Sequence, residues 1–209
     1  VWQYRRDAPP GFTVRGASRP AVRNGVAYVG FSDGHLAAMR VDTGAAVWDR
    51  VLSTGNQFID VDSPVVFDPK GNVVVATYKD GLFSVDPASG ETLWRTTVTG
   101  LVGLVARGDV VFAAGDGQVT AVQASTGRVI WNTSLGQNAG LQPALAGGWL
   151  MVPTGQALLF LDPANGAIRH KFDPGRGITA TPEVRGLEVY VLSNLGFVYS
   201  LQMTGRRSG

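Results

Sequence analysis

The chain predicts an all-β fold, a β-propeller of four-stranded antiparallel blades, and three observations carry that expectation. Gly25, Gly71 and Gly108 each stand 23 residues ahead of a tryptophan, at Trp48, Trp94 and Trp131. A fourth interval of that length runs from Gly147 to His170, and a fifth opens at Gly186. Within the intervals, two apolar runs flank a turn, most clearly Asp33-Gly34, Asp80-Gly81 and Asp116-Gly117, which reads as a hairpin because glycine accepts the positive φ such turns require. A second turn, such as Asp86 to Gly90 or Asp162 to Gly166, then leads into a short strand carrying the tryptophan. About four short strands per repeat of roughly 40 residues is the pattern of propeller blades, which hide their faces only against the next blade.

The elements follow in order. Residues 1–5, with Trp2, read as the outer strand of a preceding or closing blade. Blades are then expected at about 15–52, 58–97, 100–135, 140–173 and 178–203, with 204–209 as a tail. Trp2, Trp48, Trp94 and Trp131 are the structural residues of the repeat, and His170 takes that place in the fourth unit. The fifth unit has three strands and no tryptophan strand. About five blades are therefore present, either closed by Trp2 or belonging to a larger ring.

Composition narrows the function classes. With 28 glycines and 11 prolines among 209 residues, turns are frequent, and 44% hydrophobic content suffices for a packed core. No apolar run nears the roughly 18 to 20 residues of a membrane-spanning helix. The absence of cysteine excludes disulfides and thiolate metal sites. A net charge of +2 is too mild to argue for nucleic acid. His35 and His170 occupy unrelated repeat positions, and neither a Ser-His-Asp set nor a phosphate-cradling glycine loop is present. No catalytic residue, metal or cofactor is expected.

Two connections between successive blades are oversized, at about Asp7 to Ser18 and Ser53 to Ser63. In a propeller such links emerge on one face of neighbouring blades, so the two lie side by side, and insertions confined to one face are often the binding surface. The first holds Phe12, Val14 and Arg15; the second holds Phe58, Asp60 and Asp62. Phe12 and Phe58 both lie ten residues after their tryptophans, which gives them a shared packing role beneath the loops. The remaining residues admit several readings. Arg15 pairs with Asp60 or Asp62 as a surface ion pair of about 0 to 1 kcal/mol, the Asp-x-Asp pair holds a calcium ion, or Asp62 forms a turn ahead of Ser63-Pro64. The alternative is a partner interface, in which an arginine among apolar residues beside two carboxylates makes a suitable hot spot.

At these residues the chain resembles a known family. Val1-Trp-Gln-Tyr4, Phe12-Thr-Val-Arg-Gly-Ala-Ser18 and Asp60-Val-Asp-Ser-Pro-Val-Val66, with Ile178-Thr-Ala-Thr-Pro-Glu-Val184 and Gly196-Phe-Val-Tyr-Ser-Leu201 near the end, look like BamB, the periplasmic propeller lipoprotein of the outer-membrane β-barrel assembly complex. The resemblance implies an eight-bladed, non-catalytic scaffold at the periplasmic face of the outer membrane of a Gram-negative bacterium. This chain would be its C-terminal five-blade portion, without the N-terminal lipid that is the only membrane attachment. It further implies binding to the periplasmic POTRA region of BamA through an aliphatic-x-aliphatic-Arg motif, matched by Phe12, Val14 and Arg15, and an Asp-x-Asp motif, matched by Asp60 and Asp62. Phe12 departs from the expected leucine. Exposed strand edges would also be offered to unfolded outer-membrane clients.

Two other classes compete. Quinoprotein dehydrogenases share the glycine-to-tryptophan repeat, but hold their quinone with a calcium ion, an aspartate base and, in many, a vicinal disulfide. This chain has no cysteine and no cluster of Asn, Glu and Asp on inner strands. A propeller that recognises sugars or an unrelated protein is the third class, since fold alone does not fix function.

Overall fold

The computed structural model describes residues 1–6, 18–55 and 57–203. Among the described residues, eighteen strands form antiparallel sheets in sequence order and no helix occurs. The first sheet contains β1 (Ala21–Arg23), β2 (Val26–Gly30), β3 (His35–Arg40) and β4 (Ala46–Val51). The second contains β5 (Val66–Phe67), β6 (Val73–Thr77), β7 (Gly81–Val85) and β8 (Thr92–Arg95). A three-stranded sheet follows, of β9 (Leu101–Arg107), β10 (Val110–Gln123) and β11 (Val129–Ala139). The fourth holds β12 (Ala144–Ala146), β13 (Trp149–Pro153), β14 (Leu158–Leu161) and β15 (Ile168–Phe172), and the last holds β16 (Glu183–Arg185), β17 (Glu188–Leu192) and β18 (Val198–Gln202).

β10 is folded back on itself rather than straight: the Ala124 amide donates to the Asp109 carbonyl at 2.9 Å, so the segment reverses at the expected Asp116-Gly117 turn, where Gly117 takes φ 68° and the register against β11 shifts between Asp116 and Gln118. Residues 1–5, expected as an outer strand, carry no assigned strand.

The chain forms two compact units, Val1–Val111 with Gln123–Arg128 and Phe112–Val122 with Val129–Gly209. In the first, alternate residues of two successive sheets make one core: Tyr28, Leu36, Ala38 and Trp48 meet Val73, Val75, Phe83 and Val85, with Val61 and Val65 of the connecting segment buried among them. Period-two alternation puts these side chains on the covered face. In the second, Met151, Leu158 and Phe160 meet Ile178, Val189 and Val191.

The repeat spacing has a concrete cause in side-chain docking. Trp48 is only 5% exposed, and its indole N–H donates to the Pro87 carbonyl at 2.9 Å in the next sheet's second turn. Trp94 does the same to Ala124 at 2.8 Å, and Trp131 to Pro163 at 3.0 Å. A β-carbon at Gly90 would sit 2.7 Å from the Trp48 ring, and Gly127 and Gly166 face Trp94 and Trp131 in the same way. The tryptophan and the glycine closing the following turn are thus one contact between consecutive sheets. Trp2 repeats it on the first sheet, donating to Val41 at 2.8 Å and lying against Gly44. His170, in the fourth unit, meets Trp149 of its own sheet edge-on, with centroids 5.1 Å apart.

Candidate partner-binding site

The second long connection is pinned along its length. At its start the Leu52 and Ser53 amides donate to the Gly34 carbonyl at 2.8 and 3.2 Å, and the Ser53 hydroxyl donates to Asp80 at 2.5 Å. In its middle the Val61 amide donates to the Phe31 carbonyl at 3.0 Å. At its end the Ser63 hydroxyl accepts from the Ala76 amide at 2.8 Å and donates to the Ala76 carbonyl at 3.1 Å. Gly30 makes the close approach possible, because a β-carbon there would run into Val61. Ile59, Asp60, Val61 and Ser63 are consequently buried rather than projecting.

Burial gives the two carboxylates their chemistry. Asp60 is 6% exposed and Asp62 half-buried, and one oxygen of each, Oδ1, is buried without a hydrogen-bond partner among the described residues. Burial pushes both carboxyl groups above the usual carboxylate range, against the lowering effect of each residue's own backbone amide, and the charge of Asp60 raises Asp62 further. Buried polar atoms are almost always hydrogen-bonded, so each of these oxygens has an acceptor position open to a donor beyond the described contacts. Among the described residues no group of three or more His, Cys, Asp or Glu is placed to hold a metal ion.

Phe58 does not pack under the loop. It is 46% exposed, takes φ 56°, and leans against Tyr78 with centroids 5.4 Å apart. A left-handed backbone at a bulky residue costs about 1 to 2 kcal/mol and is commonly retained at functional positions. With Gly55, Gln57 and Lys79 it lines an open cavity of about 670 Å³. Composition offered no signal for this exposed ring.

Phe12, Val14 and Arg15 lie outside the described residues. The ends of their connection are described and both are tied down. The Ser18 hydroxyl donates to the Ser63 carbonyl at 3.1 Å, joining the ends of the two long connections. Arg6 bridges Asp33, at 2.5 Å, and Asp49, while the Tyr4 hydroxyl donates to Asp49 at 2.9 Å and His35 Nδ1 lies 2.5 Å from its other oxygen. Burial opposes ionisation of Asp49, but these hydrogen bonds and the Arg6 charge hold its carboxyl below the usual range.

Repeated sheets docked through tryptophan, with an acidic connection between the first two, define a β-propeller of the PQQ-repeat type. A family model described as outer membrane protein assembly factor BamB matches residues 1–133 and 115–208, and the chain belongs to that family. Curated relatives include the outer membrane protein assembly factors BamB of Legionella pneumophila, 28% identical over 205 residues, and of Yersinia pestis, 26% identical over 212 residues. The alignments cover 93% and 95% of this chain and 53% of each relative, so the chain spans about half the length of the relatives it matches. The crystal structure of BamB from Moraxella catarrhalis superposes with a TM-score of 0.84 at 25% identity, covering 97% of this chain and 63% of that one. A quinohemoprotein alcohol dehydrogenase from Comamonas testosteroni, at a TM-score of 0.70 and 16% identity over 91% of this chain and 42% of that one, shares the fold alone.

Proposed function

We propose that the chain is a non-catalytic scaffold module in outer-membrane protein assembly, working at the periplasmic face of the outer membrane. It grips the POTRA region of BamA through Asp60 and Asp62, with Phe12, Val14 and Arg15 of the adjoining connection completing the contact. The observation that carries this function is the pair of orphan carboxylate oxygens held on a pinned connection. Leaving such an atom unpaired costs about 1 to 3 kcal/mol, which an arginine or lysine of the partner would recover. The Ser18 to Ser63 bond supports a joint surface, because it holds the ends of both connections together. Strand β18 pairs with β17 and stands last in its sheet among the described residues, an edge suited to an extended segment of a client barrel protein.

The test is capture of BamA's POTRA region by the parent chain, by Arg15→Ala and by Asp60→Ala with Asp62→Ala. Truncating one side of a desolvated charge pair costs on the order of 2 to 5 kcal/mol, so capture by the acidic double variant is expected to fail. Capture at parental strength by both variants would remove the site assignment.

A further inference from the structure

Resting on the partner-binding function above, we propose that the turn from Phe31 to Gly34 is the positioning element of the site, holding the acidic connection in place so that Arg6, Asp33 and Gly34 set partner affinity without touching the partner. The turn has two occupied flanks. On one, the Arg6 guanidinium is bonded to Asp33 and lies 6.0 Å from the Phe31 ring centroid, and Tyr4 packs on the same ring at 5.8 Å. Arg6 is the last described residue before the segment carrying Phe12, Val14 and Arg15. On the other flank, backbone groups of the same turn hold the acidic connection: the Phe31 carbonyl accepts from Val61, between the two aspartates, and the Gly34 carbonyl accepts from Leu52 and Ser53.

Three features make this a brace rather than incidental packing. Arg6 spends one guanidinium on two carboxylates from different elements, Asp33 in the turn and Asp49 on β4, a geometry its planar fork suits and an ammonium does not. Gly34 sits at φ 86° with the Ser53 carbonyl against the place of a β-carbon and the Ile59 carbonyl 3.4 Å away, so the turn and the connection touch at backbone level. The Phe31 carbonyl is shared: it accepts the Gly34 amide at 3.3 Å as well as the Val61 amide, so a change in the turn reaches Val61 through one oxygen. Ser18 closes the loop of contacts through Ser63.

The experiment compares Arg6→Gln, Asp33→Asn and Gly34→Ala with the parent, with Arg40→Gln, which removes an exposed ion pair to Asp42 away from the turn, and with Asp60→Asn plus Asp62→Asn. Two quantities are read: affinity for BamA's POTRA region by calorimetry, and amide exchange at Leu52, Ser53 and Val61 in the free chain. Arg6→Gln and Asp33→Asn are expected to weaken binding roughly fivefold or more, the scale of coupling between linked elements, and to speed exchange at those amides, whereas Arg40→Gln leaves both unchanged. If the acidic variant loses binding while Arg6→Gln and Asp33→Asn bind and exchange like the parent, the positioning role is overturned and the site stands. If the acidic variant itself binds like the parent, the site fails first. Should Gly34→Ala not fold, the two side-chain variants decide alone.

Discussion

Replacing Gly30 by alanine separates the position of the acidic connection from the stability of the chain. Gly30 ends β2 outside the left-handed region, so alanine meets no backbone penalty there. Its β-carbon would stand 2.7 Å from Val61 Cγ1 and closer still to the Val61 carbonyl, against the ~3.5 Å of ordinary contact. Val61 must therefore retreat by about 1 to 1.5 Å, the shortfall being larger at its carbonyl oxygen than at Cγ1, and it carries Asp60 and Asp62 on either side. Overpacking of this kind costs about 1 to 3 kcal/mol of stability. Gly25→Ala is the matched control. Gly25 has nothing within 4 Å of a β-carbon but sits at φ 74°, so alanine there costs about 1 to 2 kcal/mol through the backbone alone. Urea denaturation should show similar losses for the two variants. Calorimetry with the POTRA region should show that only Gly30→Ala binds more weakly, by about tenfold, or 1.4 kcal/mol. Equal affinity for the two variants would refute the link between this connection and the partner.

Trp48→Ala should cost about 3 to 5 kcal/mol in denaturant, because it removes a buried ring together with its bond to Pro87. Gly90→Ala attacks the same contact from the other side, and the two losses should fall short of additive in the double variant. The acidic pair makes a pH prediction. Its folded carboxyl groups hold protons to higher pH than the unfolded chain does, so stability falls as pH rises from the ordinary carboxylate range through their raised values. Asp60→Asn with Asp62→Asn should flatten that descent in a series of denaturation curves, and an unchanged slope would remove the burial account of the pair.

The sheets were legible because their signals are local. The glycine-to-tryptophan interval reports one physical contact, the dock of Trp48, Trp94 or Trp131 on the following turn, and any chain that keeps the contact keeps the spacing. The same holds in the third sheet, where Asp116-Gly117 reverses the chain so that the Ala124 amide meets the Asp109 carbonyl at 2.9 Å. At the candidate site, the length of the second connection and its Asp-x-Asp pair could be read, but its burial could not. Burial follows from the close approach of Val61 to Gly30, a glycine that no turn or repeat position singled out. Phe58 reversed expectation for a similar reason: its exposure depends on a φ of 56° set by the path of the connection, not by the residue's own hydrophobicity. The Arg6, Asp33 and Asp49 bridge joins residues far apart in the chain, beyond the reach of any spacing argument.

The most direct measurement is a hydrogen-exchange footprint of the chain with and without BamA's POTRA region. Added protection is predicted at 57–63 and around Ser18, with β16 to β18 unchanged. Protection confined to other sheets, with 57–63 exchanging as in the free chain, would contradict it.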